Sequence, residues 1–356
     1  MRARAITLLA GSGAVLFLGC SPGDAEPGDL TAEEHLSAAQ VAAGQEHVAL
    51  LNRLCTQVTT AATARAAAST GQTPATAAAP PSAPASTGQA PPAPAARTPG
   101  PPPRSAWYAE PVKVFDNLYF VGQTRYTAWA VTTSEGIIII DPLFDYSVEA
   151  EVADGLTKLG LDPETIRYVI VSHGHRDHVG GARYLQDRFG ARVILGAADW
   201  DLLDSSGGDW PKPRRDIVAE DGYELRLGET TLVLHLTPGH TPGTISTLIP
   251  VTDGGRRHMA ALWGGTAFNF MGRSGEARWF GEYVGSAERF RDLAEAAGAD
   301  VLLSNHPQYD GSTTKLPALA VRGAGDPHPY VIGSERVGRY LTVAQECAAA
   351  GLLGVG

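Results

Sequence analysis

Between Thr56 and Ala106 the sequence has no phenylalanine, tryptophan, tyrosine, aspartate or glutamate. Its only charges there are Arg65, Arg97 and Arg104, and eleven of the chain's 25 prolines fall between Pro74 and Pro103. Such a segment buries too little apolar surface to offset the entropy of ordering it. Residues 56–106 are therefore expected to form a disordered Pro/Ala/Thr-rich linker or loop. Long apolar runs are also missing. The run Ala5–Leu18 is short for a bilayer-spanning helix. No repeat of 20–50 residues is visible. A basic excess is absent too: residues 1–106 are balanced, so the block from Trp107 onward carries the whole net charge of −10. That argues against nucleic acid or an anionic membrane surface as the main partner. About 250 residues remain to build one large core.

Cysteine is nearly absent, with three at positions 20, 55 and 347. Arg2 and Arg4 precede the apolar run, which ends at Gly19-Cys20, the pattern of an export signal. The stretch Phe17-Leu18-Gly19-Cys20 resembles a bacterial lipoprotein processing site, with Cys20 as the lipidated residue. Phe17 departs from the usual leucine, so cleavage as an ordinary secretory signal stays open. Either way the chain is expected to be exported, periplasmic or membrane-anchored through Cys20. Two cysteines then remain in an oxidising compartment. Cys55 closes a helical pattern that starts with capping-box spacing at Thr31–Glu34. Cys347 lies in another, from about Ser334 to Ala350. A Cys55–Cys347 disulfide and two buried thiols both fit. The division expected is 1–20 export signal, 21–55 short N-terminal helical segment, 56–106 linker, and 107–356 one main domain with a C-terminal helix.

Strands and helices alternate through the main block. Strands are expected at Val112–Asp116, Leu118–Val121, Thr127–Thr133, Ile137–Ile140, Ile166–Val171, Val193–Leu195, Tyr223–Leu227, Thr230–Leu236, Ile245–Ile249 and Val301–Leu303. Helices are expected at Ser147–Leu159, Val179–Phe189 and Tyr283–Ala297.

One cluster carries chemistry: His173-Gly-His175-Arg-Asp177-His178, at a strand-to-helix turn. Three imidazoles and a carboxylate so close would fill a core poorly, because buried polar groups need partners. Metal ligation supplies them. His173 and His175 can point at one ion, and Asp177 and His178 at a second position. Nitrogen donors with one hard oxygen suit zinc best, with iron or manganese also open. His240 and His306 each follow a strand, where a loop can present them at a sheet edge. His35, His47, His235, His258 and His328 read as surface or packed histidines.

This ordered set of five histidines and an aspartate resembles the metallo-β-lactamase superfamily, over roughly Val112 to Pro307. The resemblance implies an α/β fold of αββα type, two sheets face to face with a di-metal site at their edge. It implies two Zn2+ per chain, one held by His173, His175 and His240, the other by Asp177, His178 and His306. Many superfamily hydrolases place a bridging aspartate where this chain has Gly265, in Trp263-Gly-Gly-Thr-Ala-Phe268. No cysteine lies nearby. The set is therefore most similar to the β-lactamase subclass lacking both residues, and less like glyoxalase II, ribonuclease Z or most quorum-sensing lactonases.

The activity implied is β-lactam-type amide hydrolysis of a small-molecule substrate by a zinc-bound hydroxide, zinc lowering the water's pKa to about 7. Asp177 would orient the nucleophile. Hydrolysis of a lactone, ester or thioester is the alternative, and a non-catalytic exported metal-binding protein is a third. Asp141 reads either as a hydrogen-bond partner of a ligand imidazole or as a turn cap. Thr266, Asn269 and Tyr309 are candidate pocket residues. Trp200, Trp210 and Phe268 fit either a groove or the core.

Overall fold

The computed structural model describes residues 30–69 and 100–354. Cys20, the export leader and most of the proline-rich stretch lie outside the described residues. Two helices open the described chain, α1 (Ala32–Ala43) and α2 (Val48–Ser69). Thr31 caps α1 through a full capping box with Glu34.

The first sheet has seven strands in sequential order: β1 (Val112–Lys113), β2 (Leu118–Phe120), β3 (Trp129–Thr133), β4 (Gly136–Ile140), β5 (Ile166–Ile170), β6 (Arg192–Gly196) and β7 (Ile217–Ala219). It is antiparallel up to β4 and parallel beyond. The second sheet runs β12 (Val301–Ser304), β11 (Arg256–Trp263), β10 (Ile245–Asp253), β9 (Thr230–Leu236) and β8 (Tyr223–Leu227). Five further helices matter here: α3 (Asp154–Lys158), α4 (Arg176–Val179), α5 (Ala182–Phe189), α6 (Ala197–Ser205) and α7 (Glu276–Ala296). α8 (Ser312–Ala320) and α9 (Ser334–Leu353) complete the set.

The four isoleucines of β4 show why the layers stack. Ile138 and Ile140 join Trp129, Leu234, Ile249 and Leu262 between the sheets, while Ile137 and Ile139 join Leu156, Val179 and Leu185 under the outer helices. A strand buried on both faces is apolar throughout rather than alternating. Beyond the second sheet, Trp263 and Ala261 pack with Phe280, Phe290, Tyr340 and Val343 of α7 and α9. The architecture is the expected αββα sandwich.

The structure corrects the expected domain division. The segment 56–106 is not wholly a linker: α2 runs unbroken to Ser69. Alanine-rich sequence favours helix, and tertiary contacts hold it. Val58 is buried, and Arg65 bonds both Glu276 carboxylate oxygens at 2.7 Å. The helical segment expected before Cys55 is present among the described residues as α1 and the start of α2, packed into the main domain. Ala39, Ala43, Leu50 and Leu54 are buried in the same core as α7 and α9, and Cys55 is disulfide-bonded to Cys347 with the Cα atoms 4.9 Å apart.

Some elements also differ. The helix expected at Val179–Phe189 is two helices, α4 and α5, broken at Gly180-Gly181. β7, β11, α6 and α8 were not expected. β11 begins Arg-Arg-His, polar and half-exposed, which hid its apolar end.

Strand ends build the site. β4 pairs Ile140 with Ile170 of β5, which sets Asp141 beside the turn at Ser172–His178. β9 pairs Leu236 with Ile245 of β10, so the loop bearing His240 opens at one sheet edge. β11 pairs Trp263 with Ser304 of β12, placing Gly264-Gly265 beside Asn305-His306. The Ile245 N–H donates to the Ser172 carbonyl at 2.8 Å and ties the two sheets together at this edge.

Candidate metal centre

The imidazoles of His173, His175 and His240 converge. His240 Nε2 lies 3.1 Å from His173 Nε2 and 3.1 Å from His175 Nδ1. Zinc bonds to nitrogen are about 2.0–2.1 Å, so two ligands of a tetrahedral ion sit about 3.3 Å apart. The spacing fits one ion.

The outward nitrogens are held by the backbone. His173 Nδ1 bonds the Gly264 carbonyl at 2.8 Å, and His240 Nδ1 bonds the Ala267 carbonyl at 2.5 Å. Each such N–H leaves the opposite nitrogen as a lone pair aimed inward, the arrangement a metal needs. Burial holds His173 well below the ordinary histidine range and His240 at about 3. Burial thus favours the neutral form of both rings, the form that binds a metal.

Asp177 and His178 begin the second set. The His178 ring is fully buried between two carboxylates. Its Nδ1 is 3.0 Å from Asp141 Oδ2, and its Nε2 is 3.2 Å from Asp177 Oδ2. Among the described residues neither ring nitrogen has a hydrogen-bond partner beyond these charge contacts. A buried polar atom without a partner is costly, and a cation at Nε2 would resolve it. His173, Asp177 and His178 offer donor atoms within 4.8 Å of one another.

His306 faces this set, its ring centroid 5.1 Å from that of His178. Its Nδ1 bonds the Arg125 carbonyl at 3.1 Å, and burial lowers it to about 4. Burial pushes the Asp177 carboxyl upward, but the charge of His178, then those of His306 and His175, outweigh that. They hold it well below the usual carboxylate range. Burial works against the charged form of His178, and the charges of Asp177 and Asp141 overcome it and raise the ring to about 10. The donor set fits hard or borderline divalent metals such as zinc.

Asp141 does two jobs. Its carboxylate accepts from the Ser172 N–H and hydroxyl, both at 2.7 Å, while also flanking His178. Its φ is 57°. A left-handed non-glycine residue costs energy and persists where its surroundings over-determine it.

Of the candidate pocket residues, Thr266, Asn269 and Tyr309 line a cavity of 510 Å³ together with His175, Asp177, His240 and His306. That volume suits a drug-sized ligand. Trp200 and Phe268 are core residues, 1% exposed. Trp210 lies beside Arg176. The other five histidines have partners elsewhere: His35 with Glu346, His47 with the Arg336 carbonyl, His235 near Asp221, His258 with Asp300, and His328 with the Val114 carbonyl.

Asp199 is a residue that sequence reasoning missed. This α6 carboxylate is fully buried and accepts from Gly174 N, Thr241 Oγ1 and Gly243 N, each at 2.7 Å. It clamps the His173–His175 turn to the His240 loop. Gly243 is required there, since a Cβ would lie 2.5 Å from the Asp199 N. No local pattern in Ala-Ala-Asp-Trp-Asp marks the residue. Asp199→Asn puts an amide donor against one of three donors. We expect metal affinity to fall about 10- to 100-fold, read by competition with a chromogenic chelator. Unchanged affinity would show that the clamp is dispensable.

The site and sandwich define a metal-binding αββα fold, and comparison with known proteins agrees. The sequence profile of the metallo-beta-lactamase superfamily matches residues 121–253. A hydroxyacylglutathione hydrolase of Anaeromyxobacter dehalogenans is 32% identical over 160 residues, 45% of this chain and 54% of that protein. An N-acyl homoserine lactonase of Azorhizobium caulinodans is 28% identical over 45% of this chain and 65% of that one. The chain spans about half the length of the first of these curated relatives. Among solved structures, a subclass B3 metallo-beta-lactamase of Bradyrhizobium japonicum superposes with a TM-score of 0.55 at 26% identity, covering 67% of this chain and 91% of that one. A metallo-beta-lactamase of Cronobacter sakazakii gives 0.56 at 28%, covering 69% and 95%. The matched segment and the fold are those of the metallo-beta-lactamase superfamily.

Proposed function

We propose that this chain is an exported di-zinc hydrolase that opens β-lactam-type amides. One observation carries the choice of substrate. At Gly265 a Cβ would stand 2.4 Å from the Cβ of His240, so the position that bears a bridging carboxylate in many superfamily hydrolases tolerates no side chain here. The donors are then three histidines on one side and Asp177, His178 and His306 on the other. The likeness to subclass B3 and Cronobacter metallo-beta-lactamases, over nearly their whole length, supports the same reading. The Cys55–Cys347 disulfide supports export, because such bonds persist in oxidising compartments.

When bound, zinc supplies a Lewis acid and a water acidified to near neutrality. The chain's residues do the rest. Asp177 stays ionised and accepts the attacking water's hydrogen, fixing its direction. The Thr266 hydroxyl lines the cavity with no hydrogen-bond partner among the described residues and is available to a bound substrate. The sandwich edge excludes bulk water from the buried imidazoles.

Thioester or lactone hydrolysis is the second reading, favoured by the curated relatives named for those activities. The test offers zinc-loaded full-length protein a chromogenic cephalosporin, an acyl-glutathione thioester and an acyl-homoserine lactone, with metal content measured alongside. We expect two zinc per chain and preference for the cephalosporin. Turnover of the thioester or lactone alone would replace the β-lactam reading. Bound zinc with no turnover would leave a metal-binding protein.

A further inference from the structure

We infer that helix α2, outside the stretch matched to the superfamily, supplies a substrate-selecting arginine: Arg53, acting with Arg125, binds a carboxylate on the substrate. This rests on the hydrolase reading of the same cavity and deepens it.

Three arginines line the cavity, Arg53, Arg125 and Arg176. Arg176 is already engaged, donating twice to Asp145 at 2.8 and 2.9 Å. The guanidiniums of Arg53 and Arg125 have no carboxylate or hydrogen-bond partner among the described residues, and both are exposed toward the cavity mouth. Among the described residues Asp177 is the only carboxylate in the lining, and it belongs to the candidate metal centre. In a chain of net charge −10, this mouth is locally positive. A concave site lined by one sign of charge concentrates ligands of the other. A guanidinium also binds carboxylates in two-pronged fashion.

Packing fixes the direction of Arg53. Leu50, Leu54 and Val58 form the buried face of α2, and Cys55 is bonded to Cys347 of α9. With that face pinned, the helix has no freedom to roll. Arg53 and Gln57 are four residues apart and share another face. The Gln57 side-chain oxygen accepts from the Phe268 N–H at 3.4 Å, directly after the cavity residues Thr266 and Ala267. That bond sets the Arg53 face of α2 against the active-site loop. The substrate class is thus a small carboxylate anion.

The experiment uses full-length, zinc-loaded protein and a matched pair: a chromogenic cephalosporin with a free carboxylate, and its methyl ester. For Arg53→Ala we expect the ratio of kcat/KM for acid over ester to fall about tenfold, and more in Arg53→Ala/Arg125→Ala. Arg53→Lys should recover part of the ratio, since it keeps the charge and loses the fork. Succinate binding, followed by calorimetry on the same proteins, should weaken in parallel and be steeply salt-dependent in the wild type. An unchanged ratio in the double variant overturns the inference. If neither cephalosporin is turned over, the β-lactam reading fails separately and succinate decides. Equal affinity in wild type and double variant, or no binding to the wild type, then overturns the role of the arginines.

Discussion

Replacing His240 by alanine is expected to empty the three-histidine metal position while leaving the fold intact. His240 Nε2 sits 3.1 Å from both His173 Nε2 and His175 Nδ1, so it is the shared corner of the three-nitrogen set. Without it, two imidazoles remain, too few to hold zinc tightly. Metal content should fall, and kcat/KM on the best substrate should drop at least about a thousandfold, because water deprotonates poorly without the ion. The residue lies on a loop between β9 and β10, and its removal takes from the fold chiefly its bond to the Ala267 carbonyl. Circular dichroism of the metal-free protein should therefore match the wild type, with stability lower by only about 1–3 kcal/mol. His235→Ala is the comparison. That ring is on β9, near Asp221 and against Phe290, and its loss should not change metal content. Equal zinc content in His240→Ala and wild type would refute the ligand assignment.

Cys55→Ala/Cys347→Ala should cost about 2–5 kcal/mol of stability. The disulfide closes a loop with a sequence separation of 292, so it constrains nearly the whole unfolded chain. Alanine is the informative replacement: Cys347 is fully buried, and a serine hydroxyl there would add a desolvation cost of its own. The helix should remain docked. Leu50, Leu54 and Val58 each contribute about 1.5–3 kcal/mol of burial, together at least as much as the bond. The variant should thus unfold earlier but still cooperatively, with a thermal midpoint lower by roughly 5–15 °C. Reductant should shift the wild type and not the variant. A wild type insensitive to reductant, with the same midpoint as the variant, would show that the bond adds nothing. If α2 loosens, the acid-over-ester preference assigned to Arg53 should weaken with it.

The sequence by itself determined the chemistry and the class of fold. A metal site needs particular donor atoms at short spacing, and His173 through His178 displays four of them within six residues. His240 and His306 were legible because each follows an apolar strand. Gly265 was legible as a departure. Its reason was not, since the crowding against His240 exists only once β11 lies beside the β9–β10 loop.

Tertiary structure decided what holds and surrounds those donors. Asp199 looks like an ordinary helical aspartate, and only folding brings it to Gly174, Thr241 and Gly243. The side of the cavity that α2 supplies was equally hidden. Arg53 stands 120 residues before His173, the first of the candidate metal ligands, in a stretch expected only to form a short N-terminal helix. Local propensity carries no information about which surface an alanine-rich helix will meet. The apolar face of α2 and one long-range disulfide made that choice, and they set the helix against the cavity that the candidate metal ligands line.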